Sequence, residues 1–195
     1  MNRKWYSGMA RTEDWWAVWL GLTMFLASVS SLWGLDLTGW MAKPNTWVWG
    51  NFSFDAVLKP SGKQGWHPIL SWLVTYLVFT TLTCVAARAM NFDLKRFVAG
   101  WTVLFVMTWI IWIIGQEAHF KVPVNEFAKF GLSWGLSLGG GFSYLLALLI
   151  GLIIGNFFKG TAGFLSEAAK PEWFIKTAIV FLGIKIGVMS MEAAG

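Results

Sequence analysis

Apolar residues fall into long unbroken runs along this chain, separated by short clusters that hold most of the charge. Runs of this kind predict segments that cross a bilayer, whereas a soluble helix is apolar on one side only. The first run covers residues 15–35. Thr12 is placed to cap it, Glu13 and Asp14 suit a helix start, and Trp15, Trp16 and Trp19 mark the interface. The second covers 68–87 with Pro68 in its first turn, and the third covers 97–115. The fourth covers about 142–158. The fifth covers 171–191, opened by Pro171, Glu172 and a tryptophan, Trp173, at interface depth. At a rise of about 1.5 Å per residue each can cross a core about 30 Å thick, the fourth with least to spare.

The expected fold is therefore an all-α integral membrane protein with about five transmembrane helices. A further short interfacial or re-entrant helix is expected in the glycine-rich residues 132–141. Residues 1–13 form a polar, basic N-terminus. Residues 14–115 form a three-span region with a long outer loop at 36–67, and residues 132–195 add the glycine-rich segment and a helical hairpin. The long loop is crowded with Trp40, Trp47 and Trp49, which reads as a segment lying on the membrane surface or packed on the outer end of the bundle, with anchoring at the surface the preferred role.

Composition agrees with the pattern. The chain is 56% hydrophobic and 13% charged, against about 25% charged in a soluble domain, which excludes an ordinary soluble fold. A net charge of +5 would suit a nucleic-acid partner, but the basic residues sit in clusters beside apolar runs, so the bilayer is the expected partner and nucleic acid is not. Arg3, Lys4, Arg11, Arg88, Lys95, Arg96, Lys159, Lys170 and Lys176 gather on one side. They outnumber Lys43, Lys59, Lys63, Lys121 and Lys129 on the other, which puts the N-terminus in the cytoplasm of a bacterial inner membrane.

Motifs for enzymatic chemistry are missing from the sequence. His67 and His119 lie far apart with no paired spacing, and there is no phosphate loop, nucleophile elbow or dinucleotide fingerprint. Neither an enzyme nor a metal or cofactor site is expected. The lone Cys84 lies inside an apolar run and reads as a packing residue. Small residues four apart, at Gly131, Gly135 and Gly139, at Gly151 and Gly155, and at Gly183 and Gly187, predict close helix packing. Two polar residues within spans are candidates for contact with a substrate. Lys185 lies about 13 Å further along its helix than Lys176, which reads as a snorkelling anchor, and Asn156 lies in the fourth span. On these residues alone a non-transporting membrane anchor or assembly subunit is slightly favoured over a transporter, since intramembrane acidic residues and ligand sets are lacking.

Four blocks carry a resemblance. Thr12-Glu-Asp-Trp-Trp-Ala-Val-Trp-Leu-Gly-Leu22, Leu94-Lys-Arg-Phe-Val98, Gly151-Leu-Ile-Ile-Gly-Asn156 and Lys170-Pro-Glu-Trp-Phe-Ile-Lys-Thr-Ala-Ile-Val180 resemble the sulfate exporter family of YeiH-like membrane proteins. The resemblance implies transport of a small anion such as sulfate. Because members of that family are longer, it also implies that this chain corresponds to an N-terminal part. The partners implied are the C-terminal transporter half or further copies of the chain.

Overall fold

The structure, a computed structural model, describes residues 11–33, 35–62 and 65–194, and among these it leaves undescribed the side chains of 31, 32 and 184–194. The expected N-terminal region 1–13 thus lies largely outside the described residues, as do the side chain of Lys185 and the packing around Gly187. The chain is 68% helical, in keeping with a helical membrane protein.

Helix α1, Glu13–Val29, starts after Thr12, whose extended backbone is that of an N-cap, and tightens into a 3-10 turn at Ser30–Trp33. Two long helices follow: α3, Pro68–Ala89, and α4, Leu94–Gly115, both long and apolar enough to cross a membrane. Pro68 opens α3, where its missing N–H costs nothing. The turn between them is tight because Asn91 takes a left-handed conformation, φ 60°, and Asp93 then caps α4 by accepting from the N–H groups of Lys95 and Arg96. Side-chain bonds join the pair in its interior, Trp101 Nε1 donating to Thr80 Oγ1 at 2.9 Å and Tyr76 Oη meeting Thr102 Oγ1 at 2.7 Å.

The long loop is not merely a surface anchor. It folds into a two-stranded antiparallel ribbon, β1 Ala42–Pro44 and β2 Leu58–Pro60, with Ala42 opposite Pro60 and the short helix α2, Phe54–Val57, between the strands. Ala42 and Leu58 pack on Trp109 of α4. Ser71 Oγ donates to the Trp40 carbonyl, and Ala42 N donates to Thr75 Oγ1 at 2.9 Å. Two buried hydroxyls of α3 thus hold a polar cap over one end of the bundle, and strands enter a chain whose sequence predicted helices alone.

Beyond α4 come α5, Ala118–Lys121, and α6, Phe127–Phe130. Residues 132–140 are not the short helix expected there. They form an irregular segment that ends in a turn at 139–140, with Ser137 at φ 49°, Leu136 N donating to the His119 carbonyl and Leu138 N to the Phe120 carbonyl, both at 2.7 Å. Gly131 at φ 66° and Gly139 at φ 61° explain the difference, since left-handed residues interrupt a helix. The additional short helix lies after the fourth span instead. There α7, Gly141–Phe157, meets α8, Lys159–Leu165, at 115°, in residues between the expected fourth and fifth spans.

Helix α9, Pro171–Ala194, returns to α1 and lies along it in the same direction. A side chain at Gly21 would stand 2.8 Å from Val180 Cγ1 and 3.1 Å from the Thr177 carbonyl, so these helices touch at backbone distance. Their shared core joins Ala17 and Leu20 of α1 to Ala86 and Ala87 of α3, Phe97 of α4, Ala168 and Trp173. Trp173, expected at the interface, is fully buried against Phe97 and Phe174. Five helices, α1, α3, α4, α7 and α9, occupy the places of the expected spans. Of these, α3 and α4 have the length and apolarity to cross by themselves, and α7 with α8 makes a bent third.

Candidate functional site

The break between α7 and α8 is where polar chemistry meets a span. Phe158, at φ −119° and ψ 60°, is the single residue separating the helices. Its N–H still donates to the Ile154 carbonyl at 3.0 Å, and its own carbonyl accepts from Ala162 N at 2.9 Å, so both helices are bonded up to the corner. Asn156 stands exposed two residues before it. Its Nδ2 donates to the Leu152 carbonyl at 2.8 Å, within its own helix, and its carboxamide oxygen has no partner among the described residues. Lys159 stands exposed just past the corner, and among the described residues no carboxylate pairs with it. An amide and a cation thus flank one non-helical residue.

The open side of this corner is glycine. A side chain added at Gly151 or Gly155 would meet nothing within 4 Å. The close packing expected of that pair is not made with any described residue, and the same holds for Gly183. Of the spaced glycines Gly135 does pack closely, a side chain there standing 2.7 Å from Phe127 Cζ and 2.8 Å from the His119 carbonyl; close contacts that the spacing rule passed over are made by Gly21 against Val180, Gly100 at 3.0 Å from Ala168 Cβ, and Gly115 against Ser143 Oγ. Lys185, the other substrate candidate, lies on α9, and its side chain is outside the described residues. The structure does not bring it together with Asn156 by any described contact.

A second polar cluster closes the capped end. Glu117 is 3% exposed, yet its two oxygens accept from His119, Oε2 from the backbone N–H at 2.9 Å and Oε1 facing Nδ1 at 2.7 Å. Trp134 lies against the imidazole, ring centres 4.8 Å apart. Lys121 Nζ donates to Thr46 Oγ1 at 2.8 Å and to Gln116 Oε1, and burial pushes its pKa below the ordinary lysine value. Trp47 completes the joint: its indole N–H donates to the Ile113 carbonyl at 2.8 Å, and Ala118 N donates to its carbonyl at 2.8 Å. Every one of these groups is committed to a neighbour, so the cluster acts as a latch between cap and α4. Trp47, read from sequence as a surface anchor, is 9% exposed. The sequence signal for the cluster was the alternation Glu117, His119, Lys121 directly after an apolar run, which places an acid, an imidazole and an amine beside one helix end. Among the described residues no three His, Cys, Asp or Glu side chains gather in a way that would hold a metal.

A cavity of about 430 Å³ lies between α1, α3, α4 and α9 under the cap. Among the described residues no charged side chain lines it, and its polar groups include the hydroxyls of Thr38, Ser61, Thr83 and Thr177. Thr83 and Thr177 donate to carbonyls of their own helices, at 2.8 and 2.9 Å, and present only oxygen lone pairs to the space.

Comparison with known proteins gives relatives but no activity. A UPF0324 membrane protein of Nitrosomonas europaea is 79% identical over 195 residues, covering 100% of this chain and 40% of the relative. A UPF0324 membrane protein of Rhodopirellula baltica is 29% identical over 160 residues, 82% of this chain and 24% of its own length. A third, from Nitratidesulfovibrio vulgaris, is 26% identical over 102 residues, 52% of this chain and 15% of its own. The chain spans less than half the length of these relatives and matches their N-terminal part. No family profile matches it, and no solved structure matches it. The relatives' names and the apolar helices agree that this is a membrane protein.

Proposed function

We propose that this chain belongs to a multi-pass transporter of small inorganic or organic anions, sulfate among them, and is not an enzyme. The observation that carries the reading is the 115° corner between α7 and α8 inside an apolar segment, flanked by Asn156 and Lys159. A broken helix at membrane depth is tolerated where it lines a cavity or is buried in protein, and transporters build their sites from such breaks. An amide and a cation beside the break suit an anion, and Lys185 on α9 is the further candidate for the same path. The position is the bacterial plasma membrane with the N-terminus in the cytoplasm, by the distribution of lysine and arginine. The remainder of the translocation path comes from the C-terminal half of the longer protein or from further copies of the chain.

The test is flux of radiolabelled sulfate, and of a small organic sulfonate, into proteoliposomes holding the full-length Nitrosomonas europaea relative, whose sequence includes a counterpart of all of this chain. Replacing the residues that match Asn156 and Lys159 by alanine lowers flux about tenfold or more, the worth of one hydrogen bond to a charged ligand. Flux no greater than in empty vesicles for every anion tried would sink the reading. A membrane anchor or assembly subunit is the second reading, favoured by the open glycine face at Gly151 and Gly155. It gains if the protein carries no flux and is recovered in a stable complex with a second membrane protein.

A further inference from the structure

We infer that the groove between α4 and the start of α9 holds one anionic phospholipid. Four aromatic residues, Trp101, Phe105, Trp109 and Trp112, follow one another at spacings of four, four and three on a single face of α4. Their rings form a continuous wall, with neighbouring centres 6.3, 6.1 and 5.4 Å apart, and Phe174 closes the near side at 5.6 Å from Trp101. The groove they line has a volume of about 610 Å³. From Trp101 to Trp112 it runs about 16 Å along the helix, close to half of a hydrocarbon core about 30 Å thick. That is the depth of one leaflet, so the wall fits the acyl chain of a lipid in that leaflet.

One end of the groove is charged. Lys170 and Pro171 line it there, and Lys170 Nζ rests 4.9 Å from the centre of the Phe92 ring. Among the described residues no carboxylate pairs with Lys170, although the neighbouring Lys176 has two. Phe92 itself lies in the turn between Arg88 and Lys95, and the nearby carboxylates Asp93 and Glu172 pair with Arg96 and Lys176 and not with Lys170. A lone ammonium at the polar end of an apolar groove of leaflet depth is complementary to a phosphate joined to a hydrocarbon chain. The ligand class follows from that pairing: a zwitterionic lipid brings a cation of its own beside Lys170 and so offsets the attraction of its phosphate, and a free anion would leave the aromatic wall bare. The site is separate from the α7–α8 corner and does not rest on the transport reading.

The experiment is native mass spectrometry of the full-length protein in mild detergent, titrated with phosphatidylglycerol and with phosphatidylcholine of the same chains. The wild type retains one phosphatidylglycerol in preference to phosphatidylcholine by about fivefold, the value of one lysine near an anionic membrane surface. Lys170→Gln brings the two lipids to parity, Lys170→Arg keeps the preference, and Thr108→Trp, which fills the groove, reduces retention of both. Excess inorganic phosphate leaves the lipid in place. The inference is overturned if the wild type shows no preference, as it would if further spans of the longer protein cover the groove. It is equally overturned if Lys170→Gln keeps the preference, or if phosphate alone strips the lipid.

Discussion

Lys176 of α9 donates a 2.7 Å hydrogen bond to Asp14 Oδ1 in the first turn of α1, joining residues 162 positions apart. Glu172 lies 3.7 Å from the same ammonium on its own helix. Both helices therefore begin at the same end of the bundle, the end that also carries the Arg88–Arg96 turn, and the polar start of α9 is a clasp on α1.

Reversing that clasp tests it. Lys176→Asp places a carboxylate beside Asp14 and Glu172, and the detergent-solubilised protein melts earlier. Adding Asp14→Lys restores part of the loss. The pair is largely solvent-accessible, so both shifts are small. Thermal melts of the two single variants and the double variant, read as a cycle, check the pairing. Additive effects would show that the two residues do not interact.

The contact at Gly21 is less forgiving. Gly21→Ala puts a methyl group 2.8 Å from Val180 Cγ1 and near the Thr177 carbonyl, and it destabilises the bundle by about 1–3 kcal/mol. Val180→Ala in the same chain recovers part of that loss by opening space. Gly151→Ala, on the open face of α7, changes the stability of the described bundle little. Resistance to unfolding in sodium dodecyl sulfate ranks the three variants.

Stability of the capped end depends on pH through Lys121. Burial lowers its pKa below the ordinary 10.5, so over the interval between the two values the unfolded chain binds more protons than the folded one. Stability therefore rises as pH climbs through the lowered pKa and levels off above 10.5. At neutral pH the cost of holding the ammonium in the latch is present in full, offset by its bonds to Thr46 and Gln116. Hydrogen exchange of the Ala42–Pro44 strand at increasing pH, corrected for intrinsic exchange rates, shows this gain in the wild type, and Lys121→Gln lacks it.

Run length made most of the helices legible. The starts of α3 and α9 could be read from Pro68 and Pro171, and the end of α3 from the polar turn after it, because these signals are local. Tryptophan was harder, since its apolar body and single donor suit a lipid interface and a core equally well. Trp15 and Trp19 are 40% and 42% exposed, as an interface would have them, whereas Trp47 and Trp173 are buried by contacts to residues remote in sequence. Glycine spacing misled for a related reason. Gly131 and Gly139 serve turns and Gly135 packs on Phe127 and the His119 carbonyl beside the short helices, while Gly21, Gly100 and Gly115 make their close contacts singly. Of the site, Asn156 was visible as a polar residue in a span, but the corner beside it was not, because Phe157, Phe158 and Lys159 contain no helix breaker.

The parallel pairing of α1 with α9 also sets an order of assembly. During synthesis α1 emerges first, and the chain then makes α3, α4, α7 and α8 before Val180 exists to fill the hollow at Gly21. The first helix inserted must therefore wait in lipid, or against the insertion machinery, with its docking face open until almost the whole of the described chain has been made. A ribosome stalled before Pro171 leaves α1 unclasped, and releasing the stall allows the bundle to close.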